Sequence, residues 1–112
     1  MPDDDPRGLF PGALEMMILR TLRREPLHGY AIARSIRETS GDLLRVEEGS
    51  LYPALQRMLK ARWIEGTWVT SPQNRRVRQY RLKSAGRKRL ERESSQFNRM
   101  FTGILKVMRA EP

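Results

Sequence analysis

The 112-residue chain has no cysteine. That excludes a disulfide framework, a thiolate zinc site and a cysteine nucleophile, and it suits a reducing compartment. His28 is the one histidine, so a metal site built on imidazole lacks a second ligand, and a turn or capping role fits it better. Apolar runs are as short as Met16-Met17-Ile18-Leu19, far below the ~20 residues that span a bilayer. The acidic start Met1-Pro2-Asp3-Asp4-Asp5 lacks the basic region of an export signal. A cytoplasmic protein with no membrane partner is therefore expected. The sequence also lacks a glycine-rich phosphate loop and a carboxylate pair set for acid–base work, so neither an enzyme nor a bound cofactor or metal is expected.

What is abundant is positive charge. Lys and Arg number 22 against 13 Asp and Glu, a formal net charge of +9 and a pI near 11.0. Such an excess favours a polyanionic partner, nucleic acid first and an anionic membrane surface second. Apolar residues make up 38% of the chain, enough for one modest core in a single domain.

Residues 1–10 combine Pro, Gly and three adjacent aspartates and read as a flexible acidic arm. From Pro11, Leu14, Met17, Ile18, Thr21 and Leu22 recur at helical spacing, and Arg23-Arg24 precede Pro26, which predicts a first helix over 11–25. Tyr30, Ile32, Ala33 and Ile36 mark a second helix ending near Thr39-Ser40-Gly41, the glycine suiting a left-handed cap. A third helix starts between Glu48 and Ser50 and runs to about Ala61. One side of it carries Leu51, Ala54, Leu55, Met58, Leu59 and Arg62; the other carries Gly49, Pro53, Gln56, Arg57 and Lys60, a cationic side with no acid.

Trp63–Thr70 and Val77–Leu82 are rich in aromatic and β-branched residues and flank Ser71-Pro72-Gln73-Asn74-Arg75-Arg76, so a β-hairpin with a cationic tip is expected. Alternation points Trp63 and Trp68 inward beside Tyr80 and Leu82. From Ser84 to about Arg109 a long helix repeats Leu90, Phe97 and Ile104 every seven residues, with Met100 and Val107, then Phe101 and Met108, on adjoining tracks. The fold class is thus mainly α with a small β-hairpin wing: a winged helix-turn-helix over 11–83, then a long C-terminal dimerisation helix over 84–109.

Three blocks carry a resemblance to a known family: His28-Gly29-Tyr30-Ala31-Ile32, Glu47-Glu48-Gly49-Ser50-Leu51-Tyr52-Pro53-Ala54-Leu55, and Tyr80-Arg81-Leu82 with Ala85-Gly86-Arg87. Over about residues 12–108 the sequence resembles the PadR family of transcription regulators. The resemblance implies a homodimer whose third helices read half-sites of a pseudo-palindromic double-stranded DNA operator, with the wing on backbone or minor groove. Such proteins usually repress. The chain also departs from the family, which normally has a threonine before the long helix where Lys83 stands here, so capping falls to Ser84 or is absent.

The residues themselves agree in three places. Gly49 lets a phosphate approach the third helix, Ser50 supplies a hydroxyl beside free N–H groups, and Tyr52, Pro53, Gln56, Arg57 and Lys60 face the groove. Tyr52 sits at the edge of the apolar arc, where its ring can pack while its hydroxyl reaches a phosphate. From Asn74 to Arg92 the chain carries Arg75, Arg76, Arg78, Arg81, Lys83, Arg87, Lys88, Arg89 and Arg92 against Glu91 alone. Arg75, Arg76 and Arg78 are the wing candidates; Arg87 to Arg92 suit solubility.

The long helix, about 37 Å at 1.5 Å per residue, outreaches a small domain. Its stripe of Leu90, Phe97, Met100, Phe101, Ile104, Val107 and Met108 calls for a second subunit. In some members of the resembled family with multidrug or phenolic ligands an aromatic at the place of Phe97 lines an effector pocket, which makes Phe97 and Met100 candidates to meet a small aromatic effector. A different class of function, a winged-helix module for protein or RNA, stays open. RNA recognition calls for aromatics exposed on a sheet face, whereas the few aromatics here fall at core-like positions.

Overall fold

A computed structural model describes residues 12–111; the expected acidic arm and Pro11 lie outside them. Four helices and a three-stranded antiparallel sheet follow in the order α1 (Ala13–Arg24), β1 (Leu27–His28), α2 (Gly29–Thr39), α3 (Glu48–Lys60), β2 (Ile64–Thr70), β3 (Arg76–Leu82) and α4 (Ser84–Arg109). This is a winged helix-turn-helix with a long last helix, as expected. The sheet order is β1-β3-β2. Sequence patterning missed β1, because two residues show no alternation. Leu27 and His28 pair with Tyr80 and Gln79, so the turn after α1 is stitched to the wing.

Each helix contributes one buried stripe to a common core: Ile18, Leu19 and Leu22 from α1, Ile32 and Ile36 from α2, Leu51, Ala54, Leu55 and Met58 from α3. Ile64, Tyr80, Leu82 and Leu90 close it. Leu90 is therefore a correction. Expected at a dimer interface, it is 4% exposed within its own chain and belongs to the common core, because α4 packs on α1.

Helix ends follow from local chemistry. After α2, Gly41 adopts φ 65°; its N–H donates to the Glu38 carbonyl, and the Asp42 N–H to Arg37, the paired bonds of a Schellman cap. Ser40 then shapes the turn, its hydroxyl donating to the Arg37 carbonyl at 3.1 Å and accepting from the Leu44 N–H at 3.0 Å. The same cap closes α3, with Arg62 N–H donating to Leu59 and Trp63 N–H to Met58. Here the left-handed residue is Arg62, at φ 64°, not the inward helical position expected for it. Neither His28 before α2 nor Lys83 before α4 makes a side-chain cap bond.

Candidate nucleic-acid interface

The alternation of buried and exposed positions fixes what α3 presents. With Leu51, Ala54, Leu55 and Met58 turned into the core, Gly49, Tyr52, Pro53, Gln56, Arg57 and Lys60 are all exposed, and Ser50 is half-buried. Nothing lies within 4 Å of where a Gly49 Cβ would sit, so the start of the helix is open to a ligand backbone. Pro53 lies inside the helix and has no N–H to give the Gly49 carbonyl, leaving a polar helix surface at that turn. Tyr52 resolves towards packing: its ring atoms lie 3.0 Å and its hydroxyl 2.7 Å from an ideal Cβ on Gly29. Glycine at 29 is what lets α3 dock its tyrosine on the start of α2.

One of the expected positions is placed differently. Arg57 reaches across to α1, its Nη2 donating to Glu15 at 2.7 Å, so it is a paired cation rather than a free one. Glu48 stands exposed in the first turn, an acid on a helix whose outward side was expected to carry none. It adds favourable charge at the helix N-terminus.

Sequence reasoning also missed the neighbouring helix. Tyr30, Arg34 and Arg37 of α2, with Arg45 of the turn, line one groove together with Gly49, Leu51 and Tyr52. Their spacing of four and three residues along α2 is the signal that points to one shared side. Arg34 pairs with Glu38 and Arg37 with Asp42, both in exposed geometries that phosphate can compete with.

The wing strands pair in full register from Ile64↔Leu82 to Thr70↔Arg76. At its tip the Asn74 N–H donates to the Ser71 carbonyl at 2.8 Å, and Ser71 and Arg75 close the hairpin. Pro72 takes the second turn position and Asn74 the left-handed one, at φ 62°. Arg75 and Arg76 are exposed. Arg78 is half-buried, lying across Gly66 with its Nε 2.6 Å from that residue's ideal Cβ and its Cζ 5.9 Å from the Tyr80 ring. Burial pushes the Tyr80 hydroxyl above its ordinary pKa, and the Arg78 charge opposes that rise. Trp63 is half-buried beneath Arg89, 4.7 Å from its ring. Trp68 corrects the inward reading: it is 59% exposed, because its face of the sheet runs out beyond the core.

On α4, Met100, Phe101, Val107 and Met108 are exposed, while Phe97 and Ile104 are half-buried. Phe97 stacks on Phe101 at 5.9 Å. No cluster of metal-ligating side chains occurs among the described residues, nor is any helix of theirs long and apolar enough to cross a membrane.

A helix with one buried and one polar exposed side, preceded by a packed helix and followed by a basic hairpin, defines a winged-helix regulator. The family model for PadR-like transcriptional regulators matches residues 18–92, and the chain belongs to that family. Solved structures agree. A PadR-like transcriptional regulator from Bacillus cereus is 29% identical with a TM-score of 0.76, over 89% of this chain and 95% of that one. A transcriptional regulator from Clostridium thermocellum gives 25% and 0.78, over 85% and 92%. An uncharacterised 37.1 kDa protein in a Streptomyces fradiae transposon is 39% identical over 88 residues, 77% of this chain. The match spans only 23% of that relative's length.

Proposed function

We propose that the chain represses transcription by binding a pseudo-palindromic operator as a homodimer. In this reading α3 enters the major groove, Arg75 and Arg76 hold backbone, and the exposed end of α4 pairs with a second copy. The observation that carries it is the exposed side of α3, where Gly49, Gln56 and Lys60 face away from the buried Leu51, Ala54, Leu55 and Met58. Gln56 suits adenine, whose N6 amine donates and whose N7 accepts in a bidentate pair with an amide, whereas Lys60 suits phosphate or guanine. A small aromatic effector seated at Phe97 and Met100 would release the operator through its preference for one angle of the α4 pair.

Binding of a duplex carrying the protein's own promoter, competed by unrelated duplex, tests the reading. A specific site is held at least about 10³-fold more tightly than unrelated sequence on the usual scale for such regulators. Equal competition by unrelated duplex would defeat operator recognition. The exposed Trp68 on a sheet face favours a second reading, single-stranded RNA, and a single-stranded competitor belongs in the same assay.

A further inference from the structure

Along the outer half of the wing, cations and rings alternate on one face. Strand pleating puts Gly66, Trp68 and Thr70 of β2 on the same side as Arg76, Arg78 and Tyr80 of β3. Arg76 lies over the Trp68 ring, its Cζ 5.2 Å from the centroid. Arg78, the direct cross-strand partner of Trp68, lies towards Tyr80 instead. Its Nε is buried without a hydrogen-bond partner among the described residues.

The two arginines thus differ in what they can do. Arg78 is pinned over the hairpin, whereas Arg76 is exposed and keeps its N–H groups for an outside acceptor. An arginine at a hairpin tip ordinarily samples many rotamers, all but one of which are given up when it grips a phosphate. A guanidinium already resting on an indole has fewer to give up, and stacking on a ring leaves its edge donors free. Trp68 is exposed and lies outside the buried core, so core packing does not explain its size.

We propose that Trp68 is a positioning residue: its indole holds the Arg76 guanidinium ready to receive a backbone phosphate of the operator. The inference rests on the DNA-binding reading above. The indole acts through Arg76 and need not touch the nucleic acid.

The test is a double-mutant cycle on the full chain, reading duplex affinity over a series of salt concentrations, with urea midpoints to confirm folding. Arg76→Ala flattens the salt dependence by a slope of about 0.9 for each phosphate it no longer neutralises. Trp68→Ala weakens binding about two- to fivefold per wing, the range set by an exposed cation–π interaction, and leaves the salt slope nearly intact. In the Arg76→Ala background the same change has no further effect, and Trp68→Tyr, which keeps a ring, restores most of the affinity. A weakening by Trp68→Ala that adds in full to that of Arg76→Ala would overturn the inference in favour of direct binding by the indole. Trp68→Ala without effect beside a weakened Arg76→Ala would overturn it while sparing the DNA-binding reading. If Arg76→Ala itself changed nothing, the inference would fall and the reading through α3 would stand; if single-stranded RNA displaced every duplex, both would fall.

Discussion

A methyl group at position 86 would collide with the Trp63 carbonyl oxygen and come within 2.7 Å of Leu82 Cδ1. Backbone cannot yield as a flexible side chain can, so α4 crosses the start of β2 only because residue 86 is glycine. Gly86→Ala is expected to destabilise by about 1–3 kcal/mol, the usual cost of overpacking, and a lowered urea midpoint at unchanged slope is the sign to look for. Arg62 presents the opposite case. It occupies a left-handed position that costs an L-residue about 1–2 kcal/mol, and it is exposed. Arg62→Gly removes that strain but loosens the unfolded chain, so a net gain of about 0.5–1 kcal/mol is expected. A midpoint that fell on this change would show that the arginine side chain contributes more than its backbone costs.

Elements were legible where periodicity was long. The buried stripes of α1, α2 and α3, the two wing strands and α4 could be read within a residue or two, since each repeats its pattern over several turns or alternations. Other features were hidden for physical reasons. The two-residue β1 has no period, and the ion pair between Arg57 and Glu15 joins positions 42 apart in sequence. Trp68 alternates like a core residue, but the sheet extends past its core, and pattern alone does not tell where burial stops. Leu90 shares a heptad track with Phe97, yet burial changes along that track, from the chain's own core at Leu90 to half-buried positions at Phe97 and Ile104.

Groove and wing should part company in binding. Gln56→Ala is expected to change the preference between duplexes, a bidentate base contact being worth about 1–3 kcal/mol of discrimination. Arg75→Ala with Arg76→Ala should instead weaken all duplexes nearly alike and flatten the salt dependence. Parallel titrations of a preferred and an unrelated duplex separate the two, and a wing variant that altered sequence preference alone would reverse these roles.

At the scale of the whole molecule, α4 is the outlying part. Its 26 residues extend about 39 Å at 1.5 Å each, and near its end Val107 and Met108 are 74% and 75% exposed. Apolar side chains so placed on adjoining tracks favour a second copy. Sedimentation is expected to give about twice the 13.1 kDa chain mass. Val107→Glu with Met108→Glu should give a monomer of unchanged helix content, because neither residue enters the core, and the monomer should bind a full operator far more weakly. A wild-type chain sedimenting as monomer at micromolar concentration would remove the dimer.

That two copies read one DNA site is tested most directly by selecting binders from a pool of random duplexes with the full chain. The predicted result is enrichment of an inverted repeat whose half-site centres lie about 34 Å apart or a multiple of that. An enriched single motif with no repeat, or no enrichment at all, would contradict it.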